Sequence, residues 1–222
     1  ALASGGVGGA YEKPEWSEEY ADLPKSGIPS ADYHIPLFAR PAALANAYLA
    51  NSDDAYGVLY NPAGMAWVAG REISLAYQYR FGSINNFCAS YVNKATREIG
   101  FGHALWVVRD YAGLQTSTHF ITAAGYKFHQ LFGFMPPISA GLSLRLRSVA
   151  TPELEGATAA QRSFGLGVDL GLLAELSSQI RYGLVLKNTP DFQRTGNPIG
   201  NYAYGETQPL VLAMGGAFKA GY

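Results

Sequence analysis

Ile138-Ser139-Ala140-Gly141-Leu142-Ser143-Leu144-Arg145-Leu146-Arg147 alternates apolar with polar or small residues and does not break its period. Successive side chains of a strand point to opposite faces. The stretch therefore sets Ile138, Ala140, Leu142, Leu144 and Leu146 against Ser139, Gly141, Ser143, Arg145 and Arg147. Strands of soluble proteins average about five or six residues, whereas a tilted membrane-spanning strand needs roughly 9 to 11, and this one is of the longer kind.

The same period extends to either side. Downstream, Phe164, Leu166, Val168, Leu170 and Leu172 oppose Gly165, Gly167, Asp169 and Gly171, and Ile180, Tyr182, Leu184 and Leu186 oppose Arg181, Gly183 and Lys187. Leu210, Leu212, Met214 and Phe218 oppose Ala213, Gly215, Ala217 and Lys219. Upstream, alternation runs from Glu72 to Phe81, near Asn86 to Val92, from Ile99 to Val107 and from Thr116 to Phe128, so about eight strands are expected. One set of faces is apolar enough for lipid. The other carries Arg145, Arg147, Asp169, Arg181 and Lys187 among glycines, which suits a crowded, hydrated lumen. Tyr79, Phe81, Tyr126, Phe128, Tyr182 and Phe218 stand at strand ends, where interfacial aromatic girdles form. The fold class read from this is all-β, an antiparallel transmembrane β-barrel, with a soluble barrel or sandwich as the competing reading. Six residues, Leu142, Leu144, Leu166, Leu170, Leu184 and Leu212, are expected to face lipid.

Composition agrees with a membrane barrel. Charged residues make up 15% of the 222, aromatics 13%, and 26 are glycine, a mixture poor in the charge of a soluble surface. No apolar run reaches the roughly 18 to 20 residues of a membrane-spanning helix. The net charge of −1 gives no reason to expect nucleic acid as a partner. Charge is uneven, because Glu12, Glu15, Glu18, Glu19, Asp22 and Asp32 face only Lys13 and Lys25 in residues 1–34. With Gly5-Gly6-Val7-Gly8-Gly9, Pro14, Pro24 and Pro29, this is a polar acidic leader, or an arm whose Tyr11, Trp16, Tyr20 and Tyr33 give a protein partner something to bury. Ala1-Leu2-Ala3-Ser4 has the small residues of a signal-peptide cleavage region. Cys88, the single cysteine, excludes an intrachain disulfide and reads as a buried small hydrophobe.

Between leader and strands, residues 35–70 are compact and nearly uncharged. Pro41 suits a first helical turn and Ala42 to Ala50 have the propensity to continue it. Asn51, Ser52, Asp53 and Asp54 end that helix and cap a further turn over Ala55 to Tyr60. Pro62 leaves Asn61 as a cap or turn residue, and Gly64 permits a tight change of direction. The pattern Ala39-Arg40-Pro41-Ala42-Ala43-Leu44, Asn51-Ser52-Asp53-Asp54-Ala55, Asn61-Pro62-Ala63-Gly64-Met65 resembles the N-terminal signature of the FadL-like outer-membrane barrels, especially the PorV and PorQ branch. It departs from that signature where Pro41-Ala42-Ala43 and Asn46 replace a more Gly-rich run. Phe164 to Gly171, Gly183 to Asn188, and Gln208-Pro209-Leu210 leading to Gly215-Gly216-Ala217-Phe218 look like strands of the same branch.

The resemblance implies a short helical plug, with Arg40, Asp53, Asp54, Asn61, Pro62 and Gly64 as its marked residues, inside a barrel formed from residues 71–222. It also implies further strands, so that the barrel is incomplete in this chain, unless Tyr222 is the terminal aromatic on which such barrels end. Asp53 or Asp54 is expected to cap a plug turn or to meet Arg145, Arg147 or Arg181. Connections 82–85, 109–114, 148–162 and 188–208 alternate with 93–98, 129–137 and 177–178. The first set includes the two longest, as external loops do, which places the plug's entry on the periplasmic side.

Motifs for chemistry are missing. Gly165-x-Gly167-x-x-x-Gly171 has the wrong spacing for a dinucleotide loop and the alternation of a strand. His34, His103, His119 and His129 lack metal-ligand spacing, with His103 and His119 read as lumen or core residues. Neither a nucleophile elbow nor a convincing acid-base pair is present. No cofactor, metal or enzymatic activity is expected. The resemblance implies a bacterial outer-membrane protein in contact with lipid, for passive transport of hydrophobic small molecules. Its PorV side implies instead an accessory of type IX secretion that holds protein cargo, and a structural outer-membrane protein is a further alternative. Loops beyond about 12 to 15 residues are usually functional or disordered, so connections 148–162 and 188–208, with the plug, are the expected entrance for substrate or cargo, and Phe192, Ile199, Tyr202 and Tyr204 are the apolar and aromatic surface of the second.

Overall fold

The structure, a computed structural model, describes residues 38–110, 115–128, 136–151, 161–189, 191–196, 204–206 and 210–219. The acidic leader lies outside the described residues. A single helical turn α1 (Ala39–Ala43) and three 3-10 turns, Leu49–Asn51, Ala55–Leu59 and Pro62–Trp67, come first. Strands follow: β1 (Arg71–Arg80), β2 (Ile84–Lys94), β3 (Ile99–Asp110), β4 (Thr116–Phe128), β5 (Ile138–Thr151), β6 (Gln161–Glu175), β7 (Ile180–Lys187), β8 (Asp191–Gly196), β9 (Tyr204–Glu206) and β10 (Val211–Phe218).

Every pairing is antiparallel, in the order β1-β2-β3-β4-β5-β6-β7-β10. β8 continues β7 along β6, and β9 pairs with β8. At the junction the register steps from Leu170↔Leu186 to Gly167↔Asp191, two extra residues on the β7–β8 side. Asn188 takes a left-handed φ of 63° there, a conformation that asparagine tolerates better than most residues. The result is an eight-rank antiparallel sheet curled into a half-barrel. Among the described residues, β1 and β10 each pair on one side only.

The alternation read from sequence sorts the two faces. On the convex face Ile73 is 73% exposed, Leu212 60% and Met214 74%. All six leucines expected to face lipid point the same way, and Leu142, Leu144, Leu166, Leu170 and Leu212 are exposed. The concave face holds the core: Cys88, Val92, Ala104, Trp106, Val108, Ile121 and Ala123 pack against Phe38, Ala55, Val58, Met65 and Val68. Residues 38–67 thus form an inner segment lying on the concave face, with the Phe38 and Tyr56 rings stacked at 4.3 Å.

Three expectations need correction. The helix expected to run from Pro41 to Ala50 stops at Ala43, because Ala45 and Asn46 turn left-handed, at φ 49° and 68°. Asn46 N–H then donates to the Pro41 carbonyl and Ala47 N–H to that of Leu44, and the reversal delivers Tyr48 and Ala50 to buried positions. Packing overrides alanine's helix propensity, as it readily does for differences of a few tenths of a kcal/mol per residue. His103, expected in the lumen or core, lies on the convex face between Phe101 and Phe120, at centroid distances of 5.9 and 6.2 Å. The connection 188–208 is not all loop. Its residues 191–196 and 204–206 are strands, so Phe192 belongs to β8 and Tyr204 to β9, while Ile199 and Tyr202 lie outside the described residues. β6 is 15 residues long, and its first half needs a partner that β7 is too short to supply.

Candidate functional site

The concave floor is built from glycine. Gly100, Gly125, Gly141 and Gly171 are cross-strand partners in a single row over β3, β4, β5 and β6. Asn61 to Met65 lies along this row. A Cβ on Gly171 would run into Asn61 and Pro62, on Gly141 into Pro62 and Ala63, on Gly125 into Pro62 and Ala66, and on Gly100 into Met65. Most of these obstacles are backbone atoms, so the row is a seat cut for a main chain rather than for side chains. Gly183 on β7 does the same for Leu49, whose carbonyl would stand 2.6 Å from an added Cβ. Within the segment, Gly64 sits on the Ser52 carbonyl, which is the close approach that requires glycine there.

Hydrogen bonds fix the segment in register. Asn61 Nδ2 donates to the Leu49 carbonyl and to Leu172 on β6, each at 3.1 Å, and its Oδ1 accepts from Ala63 N–H at 3.1 Å. Pro62 occupies the first turn, where its missing donor costs nothing. Trp67 Nε1 donates to Ser139 Oγ at 2.8 Å, and that hydroxyl donates to the Ala63 carbonyl at 3.0 Å. Lys127 Nζ sits 3.5 Å over the Trp67 ring, and Lys94 Nζ donates to the Ala66 carbonyl.

Charges tie the other end of the segment. Asp54 caps the Ala55 turn by accepting from Tyr56 N–H at 2.9 Å and pairs with Arg40 at 2.5 Å. Asp53 joins Arg40 at 3.1 Å to Arg181 of β7 at 2.9 Å, and Arg181 also meets Glu175 at 3.1 Å. Tyr48 Oη accepts from Arg40 at 3.2 Å. Burial, reinforced by Asp54, pushes the Tyr48 hydroxyl well above its ordinary range, so it stays neutral.

A second polar cluster lies deeper on the same face. Asp169 Oδ1 accepts from Arg145 Nη2 at 2.7 Å and from Asn188 N–H at 2.9 Å, while Oδ2 accepts from Ser143 at 3.3 Å. Arg145 also donates to Asn188 Oδ1 at 3.0 Å, so the ion pair locks the bulge between β7 and β8. Lys187 reaches the Leu59 carbonyl at 3.4 Å. Arg147 is buried across the strand from His119, which stacks on Trp106 at 4.6 Å.

The structure therefore gathers Arg40, Asp53, Asp54 and Arg181 into one cluster, and Arg145 and Asp169 into another. Asn61, Pro62 and Gly64 stand on the glycine floor. Of the entrance residues, Phe192 and Tyr204 are placed only as members of strands. The seat itself was missed, although its signal was present: glycines recurred on the small-residue face of four consecutive strands, and only the register shows that they align. A cavity of about 600 Å³ opens between the segment and the end of β10, lined in part by Arg40, Leu44, Asp53, Arg181, Phe218 and Lys219. Among the described residues no cluster of His, Cys, Asp and Glu could hold a metal ion. No family model, curated protein or solved structure matches the chain.

Proposed function

We propose that this chain belongs to an outer-membrane β-barrel, that the inner segment is its plug, and that the protein passes hydrophobic small molecules across the membrane without an energy source. The observation that carries this reading is the opposition of the two faces, an exposed apolar convex surface backed by a polar, glycine-lined concave one. A soluble protein of this size rarely leaves so large an apolar face uncovered. A barrel in the membrane must close the open edges of β1 and β10, since hydrocarbon offers unpaired backbone groups no partner.

Reconstitution tests both parts. The full chain should insert into phosphatidylcholine vesicles and admit a hydrophobic dye faster than vesicles without protein. Insertion without faster entry would defeat the transport reading while leaving the barrel. Leu142→Arg should lower folding stability in the vesicles by about 2 to 4 kcal/mol, the cost of a cation on a lipid-facing strand, and Leu142→Met by less than about 1.5 kcal/mol. Equal stabilities for the two variants would mean that the convex face does not meet lipid.

A second reading is favoured by the glycine seat. A segment held by its backbone on four strands makes a permanent floor and leaves the working surface to the connections at the opposite end, as in an accessory that holds exported protein cargo. Export of cargo in cells with and without the chain, measured beside dye entry, separates the two.

A further inference from the structure

We infer that the convex rim at the long-connection end is a binding site for the phosphorylated headgroups of outer-leaflet lipid, with Arg109 and Arg162 as its two contacts. This rests on the membrane reading above. Strand register puts Tyr79, Asn85, Arg109, Thr116, Ala150 and Arg162 in one row across β1 to β6. All six share the convex face, and both arginines are exposed. Three strand steps separate Arg109 from Arg162, about 14 Å at the usual spacing, so each can engage a phosphate of its own.

The row marks a chemical boundary. The next row toward the centre contains Tyr77, Phe87, Val107, Thr118, Ser148 and Phe164, and the one after it Leu75, Ala89, Leu105, Phe120, Leu146 and Leu166, an apolar belt. At the far end of the same face, the row Phe128, Ile138, Ala174, Tyr182 and Gly216 has no charge at all. The two ends of the convex surface therefore differ: at one, two exposed arginines share a row with hydroxyl and amide neighbours, whereas at the other Arg71 stands in a row with Asn93 and Phe101 and no second cation. A guanidinium at the edge of hydrocarbon needs an anion in the plane of the headgroups, and its planar fork suits phosphate oxygens. Zwitterionic headgroups supply that phosphate only beside their own cation.

The experiment compares vesicles of phosphatidylcholine alone with vesicles containing one part in ten of phosphatidic acid. Insertion is read by protease protection, and enrichment of phosphatidic acid around the protein by mass spectrometry after gentle extraction. Wild type should insert into both and enrich phosphatidic acid. Arg109→Gln and Arg162→Gln should each lower the enrichment about fivefold and together about 25-fold, as expected for cations at a membrane surface. Arg71→Gln, a cation at the other end of the convex face, should change nothing. An inserted double variant with unchanged enrichment would overturn the site. Displacement of the lipid by inorganic phosphate at matched concentration would overturn its assignment to lipid. Failure of wild type to insert into either vesicle would instead overturn the membrane reading and this site with it.

Discussion

Gly141→Ala should lift Asn61 to Ala63 off the sheet and lower stability by about 3 kcal/mol, the upper part of the range for overpacking a filled interior. The new methyl would overlap the Ala63 nitrogen and the Pro62 main chain. Neither obstacle is a flexible side chain, so relief requires movement of the whole segment or of β5. Gly70→Ala is the control, because a methyl there meets nothing within 4 Å, and the change should stay within about 0.5 kcal/mol. Urea unfolding in micelles gives both numbers. Trp67 fluorescence, sensitive to loss of the Ser139 bond, reports whether the segment moved. Equal stabilities and an unchanged spectrum would mean that the floor does not grip the chain.

Asp169→Ala is expected to cost about 3 to 5 kcal/mol, the usual consequence of leaving one member of a buried ion pair alone. Three donors lose one acceptor at once: Arg145 Nη2, which keeps only Asn188 Oδ1 of its two acceptors given above, Asn188 N–H and Ser143 Oγ. Ser143→Ala removes only one neutral donor and should cost nearer 1 kcal/mol. Hydrogen exchange at Asn188 adds a second measurement, since its amide should exchange faster in Asp169→Ala and stay protected in Ser143→Ala. Similar losses for the two variants would show that the carboxylate is not the centre of the cluster.

The sequence made most of the sheet legible because period two survives in β1, β3, β5, β6, β7 and β10, and the face of each leucine follows from parity alone. The caps at Asp54 and Asn61 were also readable, since they depend on neighbours two residues away. The left-handed turn at Ala45 and Asn46 was not, because nothing local forbids a helix there. It exists to satisfy contacts at Tyr48 and Leu49 that the chain makes much later. Register was hidden for the same reason. Gly100, Gly125, Gly141 and Gly171 look like ordinary small-face residues until four strands are laid side by side. The division of the last long connection into β8 and β9 depended on the length of β6, a property of a different part of the chain.

The glycine floor also sets an order in time. Asn61 bonds to Leu172, a partner 111 residues away, and the strands that complete the seat are all C-terminal to the segment they receive. Contacts of such separation are slow to form, and a sheet that curled first would have to admit a main chain into a space without slack. We expect the segment to be in place when the strands arrive, so that the sheet bends around it. Supplied late, as a separate peptide, it should rescue a truncated chain only during refolding and not after the sheet has set.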